Sequence, residues 1–254
     1  MGDDSILAAR DVRKAFGGIQ AVDDCTLSVS KESVTGLIGP NGAGKSTLFN
    51  IIAGLYRPDG GEIWFDGTRI DGLPPYEIVR LGLTKTWQIP HELRNLTVLE
   101  NLVLAAKGNA GEHLLNLFFR PYRVRRDERR WRARAREVLA LTQLEGLANE
   151  HAKDLSGGQK KLLELARALM SDPPLVLLDE PVAGVNPTLA ATLMDLIERL
   201  RRGGTTFFLI EHDMNVVMNR CDRVIVMHQG RKIAEGTPAI VKADPVVIES
   251  YLGG

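Results

Sequence analysis

The chain has 254 residues, 44% apolar and 25% charged, with a formal net charge of zero. These proportions are those of an ordinary globular protein, large enough for one domain or a core with an inserted subdomain. The neutral balance implies no nucleic-acid partner, and no run of 18 apolar residues marks a membrane span. The opening MGDDSILAAR lacks the basic-then-apolar order of a signal peptide, and Ile6 breaks the myristoylation pattern. Cys25 and Cys221 lie far apart without metal-type spacing, as expected of reduced, buried thiols. The expectation is a cytosolic chain that reaches a membrane only through a partner.

Short β-type runs at residues 5–12, 26–29, 34–38 and 61–65 alternate with Gly and Asp turns. Strands so spaced around a phosphate loop predict an antiparallel layer beside a nucleotide-binding core. Phe16, in a KAFGG turn, is read either as a stacking platform for an adenine ring or as a core aromatic under a hairpin.

Residues 39–47 read GPNGAGKST and fit G-x-x-x-x-G-K-[ST]. A buried apolar strand precedes them, and residues 47–53 have helical spacing ending at Gly54, a natural C′ residue. Gly39, Pro40, Asn41, Gly42, Ala43, Gly44, Lys45, Ser46 and Thr47 therefore form a backbone cradle for an anion at a helix N-terminus. Lys45 is placed to reach the β- and γ-phosphates, and the Ser46 hydroxyl to ligate Mg²⁺.

A short helix is expected near residues 74–83, then a β-type run ending in the polar amide of Gln88, by itself a solvated strand-end residue. Thr97 and Glu100 form a capping-box pattern. Nine arginines lie between Arg120 and Arg136, with Asp127 and Glu128 opposing them and one apolar side containing Trp131, Ala135, Val138, Leu139 and Leu141. Residues 97–150 are read as a helical insertion, its basic face solvated and close to lipid.

Leu155, Ser156, Gly157, Gly158 and Gln159 precede KKLLELARALM, with Ser156 as the helix N-cap. The chain thus carries two phosphate-type helix starts. Residues 174–180 form an apolar run ending in Asp179 and Glu180, a buried parallel strand with carboxylates at its ligand-binding end. Asp179 is placed to hold the Mg²⁺ shell, and Glu180 to orient and deprotonate the attacking water. The strand at residues 205–210 puts His212 at the analogous strand end, within reach of a γ-phosphate. A hairpin over residues 224–234 and a short helical tail close the chain.

Six features in this order resemble the ATP-binding subunits of ABC transporters over nearly the full length. Phe16 is similar to the adenine-stacking loop, GPNGAGKS to the Walker A loop, Gln88 to the Q-loop, LSGGQ to the signature, LLDE to the Walker B strand and His212 to the switch histidine. The resemblance implies an α/β P-loop (RecA-like) core at residues 1–90 and 160–254 with an antiparallel β subdomain. It also implies a helical subdomain at about 97–158 carrying the signature. It implies ATP and Mg²⁺, with Gln88 linking the metal to the loop facing the membrane subunit. Two ATPase subunits, identical or paralogous, would pack head to tail, with Ser156, Gly157, Gly158 and Gln159 on the partner's nucleotide and residues 181–187 at the seam.

FGGIQAVDD, GLYRPDGGEI, LTVLENL, AGVNP with Asn186, and DPVVIESYLG resemble the subfamily that energises branched-chain amino-acid uptake; TWQ, with Trp87, stands where that subfamily more often has TFQ. Implied partners are two membrane-spanning permeases and an extracytoplasmic solute-binding protein, with this chain peripheral on the cytoplasmic face of the cell membrane. The alternatives are the ATPase of lipopolysaccharide-type export, or a soluble ABC ATPase such as an iron–sulfur assembly factor.

Overall fold

The computed structural model describes residues 4–86, 93–106 and 121–252. The chain forms two compact units. One comprises Met1–Gln88, Pro174–Ala183 and Ile197–Gly254; the other comprises Ile89–Pro173 and Gly184–Leu196. Residues 160–173 and 184–196, expected in the core, therefore fall in the second unit.

The first unit contains two sheets. β1 (Ser5–Phe16), β2 (Ile19–Ser30), β4 (Gly60–Phe65) and β5 (Thr68–Arg69) make an antiparallel sheet in the order β2-β1-β4-β5. β3 (Val34–Ile38), β6 (Leu83–Lys85), β7 (Leu175–Asp179), β8 (Thr206–Ile210), β9 (Arg223–His228) and β10 (Arg231–Gly236) make the other, in the order β10-β9-β3-β8-β7-β6. β9, β3, β8, β7 and β6 run parallel, and β10 returns antiparallel at the edge. β3, β7 and β8 are buried throughout, which is why they read as continuous apolar runs without alternation. Tight turns join the antiparallel pairs. Asp66-Gly67 and Gln229-Gly230 both have positive φ at each central residue, the type I′ geometry that matches strand twist.

The helix Lys45–Ile52 shares one apolar core with both sheets, and its Phe49 packs on Phe208 of β8 with ring centroids 4.8 Å apart. Gly54, at φ 75°, ends it as the sequence predicts. β1 and β2 are longer than expected, since bulges with Asp11 and Asp24 at positive φ interrupt the alternation that marks a strand.

In the second unit the helices Val98–Ala105, Pro121–Leu141 and Gly157–Leu169 pack on one another. Thr97 and Glu100 make the expected capping box. On the long helix Ala135, Val138 and Leu139 are buried, while Arg126, Arg129, Arg130, Arg132 and Arg136 are exposed. Arg134 turns back to Glu137 and Asp172. The helix is amphipathic, as its pattern predicts.

Both cysteines are free and buried. Gly36 of β3 leaves room for Cys221 Sγ, which would lie 3.0 Å from an added Cβ. Burial pushes the Cys25 thiol up to about 11 and the Cys221 thiol up to about 12. Because the thiolate is the reactive form, neither cysteine should react with a disulfide reagent near pH 8 in the folded protein, and both should react within seconds once urea unfolds it. Rapid labelling of native protein would contradict this burial.

Candidate active site

The site begins where β3 ends. After Ile38 the chain turns through Gly39 at φ 149°, Gly42 at φ 79° and Gly44 at φ 94° before the helix starts at Lys45. Two of these glycines are required by contact as well as conformation. A Cβ on Gly39 would overlap the Met227 carbonyl, and one on Gly44 the Ala21 carbonyl. Gly230 N–H donates to the Ala43 carbonyl at 3.1 Å, so the β9–β10 turn also clamps the loop. No side chain caps the helix, whose first-turn N–H groups thus suit an anion.

Lys45 is only 5% exposed, and its Nζ donates to the Gly39 and Pro40 carbonyls at 2.7 and 2.9 Å. Burial holds its pKa below the ordinary lysine value, opposed by the charges of Glu180 and Asp179. Ser46 is exposed, and Thr47 half-buried. Phe16 pairs with Ile19 across the β1–β2 turn, two residues before the Ala21 carbonyl that faces Gly44. It is exposed, with Tyr56 edge-on at 5.2 Å and Lys14 Nζ 5.4 Å from the ring centroid. The core-aromatic reading is therefore wrong.

Opposite the loop, β7 delivers Asp179 and Glu180. Asp179 is 6% exposed; its Oδ2 lies 3.5 Å from Lys85 Nζ, and its Oδ1 is buried without a hydrogen-bond partner. Burial raises its pKa, and the Lys85 ammonium is the strongest opposing influence. Glu180 sits at φ 51°, a left-handed conformation uncommon for glutamate, and its N–H donates to the Ile210 carbonyl at 3.0 Å. That twist brings its Oε1 to 2.8 Å from His212 Nε2. The two strand-end residues singled out in the sequence are thus in direct contact.

Two further residues escaped sequence reading. Glu211, 2% exposed, accepts from Val182 N–H at 3.0 Å and His212 N–H at 3.2 Å, fixing the backbone after Glu180 and at His212. Lys85 is buried beside Asp179. A charged residue at an apolar strand's end is the signal that could have found both.

Gln88 and Trp87 lie outside the described residues. In the second unit Ser156 caps its helix in a full capping box, accepting from Gln159 N–H at 3.3 Å while Gln159 Oε1 accepts from Ser156 N–H at 2.8 Å. The Gln159 side chain is thereby engaged in the cap. A Cβ on Gly157 would meet nothing within 4 Å, whereas one on Gly158 would overlap the Leu189 side chain. Gly157 borders open space; Gly158 is small because of packing.

A glycine loop clasping a buried lysine, faced by paired carboxylates at the end of a parallel strand, defines a P-loop nucleotide hydrolase. Residues 22–183 match the ABC transporter family, and residues 231–254 match a family described as branched-chain amino acid ATP-binding cassette transporter. The Pseudomonas aeruginosa high-affinity branched-chain amino acid transport ATP-binding protein BraF is 40% identical over 249 residues, covering 98% of both chains. The crystal structure of a nucleotide-free ATP-binding cassette from an ABC transporter superposes with a TM-score of 0.85 at 39% identity, covering 98% of this chain and 100% of the other. A bacterial ABC transporter cassette solved as a dimer gives a TM-score of 0.76 at 27% identity over 91% and 98%. The chain belongs to the ABC transporter family and is an ATP-binding, ATP-hydrolysing subunit of such a transporter.

The left-handed backbone at Glu180 makes a prediction independent of activity. Glycine adopts this conformation without a Cβ penalty, so Glu180→Gly should be more stable than Glu180→Ala by about 1 kcal/mol in urea unfolding. Equal stabilities, or alanine the more stable, would show that the strain is absent in solution.

Proposed function

We propose that the chain energises an importer of branched-chain or other hydrophobic amino acids, and that Glu180 is its general base. The observation that carries the base assignment is the Glu180–His212 contact at 2.8 Å, built from a left-handed residue at the end of β7. The relatives' names and the match at residues 231–254 support the cargo class.

In this reading the N–H groups of residues 39–47 cradle the phosphates, and Lys45 exchanges its loop carbonyls for β- and γ-phosphate oxygens. Phe16, exposed at its hairpin, offers a face to adenine. Ser46, Asp179 and Gln88 would hold Mg²⁺, which neutralises charge developing on the β- and γ-oxygens. The unpartnered, buried Oδ1 of Asp179 fits such a role. Glu180 takes a proton from water as the water oxygen bonds to the γ-phosphorus and the bond to the β–γ bridging oxygen breaks. His212 positions Glu180 and the γ-phosphate.

One chain offers two anion-type helix starts, and the dimeric cassette supports their use by two nucleotides shared between two chains. Ser156, Gly157, Gly158 and Gln159 would complete the partner's site, with the open space beside Gly157 receiving its γ-phosphate. ATP closes that pair and hydrolysis reopens it, which converts chemistry into motion. The permeases would receive that motion through the loop at Gln88, with a solute-binding protein delivering the cargo outside. No helix among the described residues is long and apolar enough to cross a membrane; in this reading the permeases hold the chain as a peripheral subunit on the cytoplasmic face.

With permeases and binding protein reconstituted in vesicles, leucine uptake should require ATP. Glu180→Gln should reduce phosphate release at least about a hundredfold while leaving ATP binding within about twofold. Full turnover in that variant would remove Glu180 as base, and ATP-driven uptake that ignores every branched-chain amino acid would remove the cargo assignment.

A further inference from the structure

We propose that Lys85 is a positioning residue for the metal-binding carboxylate: it occupies one oxygen of Asp179 and so turns the other toward Mg²⁺. This rests on Asp179 being a metal ligand, as read above. Lys85 ends β6, the edge strand, where a lysine ordinarily sends its ammonium into water. Here the side chain is 8% exposed. Its Nζ donates to Asn50 Oδ1 at 2.8 Å and lies 3.5 Å from Asp179 Oδ2, while Asp179 is itself 7% exposed at the side chain. Asn50 belongs to the helix that begins at Lys45, so one ammonium joins the edge strand, the phosphate-loop helix and the strand bearing Asp179.

The asymmetry within Asp179 gives the inference its direction. Oδ2 faces Lys85, and Oδ1 is buried with no hydrogen-bond partner. A buried oxygen left unpaired is unfavourable, and a bare carboxylate at this depth would gain by rotating. Lys85 opposes this. Its contact fixes which oxygen is presented. Outer partners that orient a ligating carboxylate are worth about 10–100-fold in metal affinity.

The test uses the full chain with a non-hydrolysable ATP analogue and Mn²⁺ as a paramagnetic probe. Lys85→Met and Lys85→Gln should weaken Mn²⁺ binding about tenfold, leave analogue binding in EDTA within about twofold, and unfold cooperatively. Lys85→Arg should recover most of the Mn²⁺ affinity. Asp179→Asn should weaken Mn²⁺ at least as much, and adding Lys85→Met to it should weaken Mn²⁺ no further. If both neutral variants of Lys85 bind Mn²⁺ normally while Asp179→Asn does not, the inference is overturned and the ligand assignment stands. It is overturned in the same way if metal-free analogue binding falls in step with Mn²⁺ affinity. If Asp179→Asn binds Mn²⁺ normally, the ligand assignment fails first and takes the inference with it.

Discussion

Charge buried at the end of a parallel sheet is the constraint on which this site depends. Lys45, Asp179 and Glu211 are each at most 6% exposed, with the Lys85 side chain close behind at 8%. A charge so placed persists only when paired or ligated. Here the protein supplies most of the pairing: loop carbonyls for Lys45, Asn50 and Asp179 for Lys85, backbone N–H groups for Glu211. It stops short at Oδ1 of Asp179, which has no hydrogen-bond partner. What remains unsatisfied is what a phosphate-bound cation would complete.

The fold exists to hold that edge. Parallel strands need crossover connections, and their apolar faces need cover. The helix Lys45–Ile52 helps with both, because the glycine loop that starts it must approach Met227 and Ala21 closely enough to exclude a Cβ. The antiparallel sheet therefore does more than cover apolar surface, since β2 supplies the Ala21 carbonyl against Gly44 and β1 ends in the exposed Phe16. Glu180 stands in the left-handed region where a glycine would be easier, and local strain of that kind is kept where surrounding contacts over-determine it.

How much of this was legible in the sequence follows from the range of each interaction. The phosphate loop, the strand carrying Asp179, the Thr97 capping box and the helix begun at Ser156 are written in consecutive residues, and local patterns read them correctly. Lys85 was missed because its meaning lies 35 residues away at Asn50 and much further off at Asp179. Glu211 was passed over for its neighbour His212, since nothing local says that its carboxylate turns inward to Val182. The lengths of β1 and β2 were hidden by bulges at Asp11 and Asp24, residues that ordinarily signal a turn. The boundary of the helical unit was misplaced for a related reason. The apolar stripe of the helix Gly157–Leu169 says that it packs, without saying on what.

The central claim is that one chain's phosphate loop and another's Ser156 segment close on the same ATP. Light scattering on the Glu180→Gln protein with Mg·ATP tests it most directly. The account predicts a shift from the single-chain mass to twice that mass, reversed when ATP is replaced by ADP. A mass that stays single with ATP, both alone and when mixed with the second ATPase subunit of the same transporter, would contradict it.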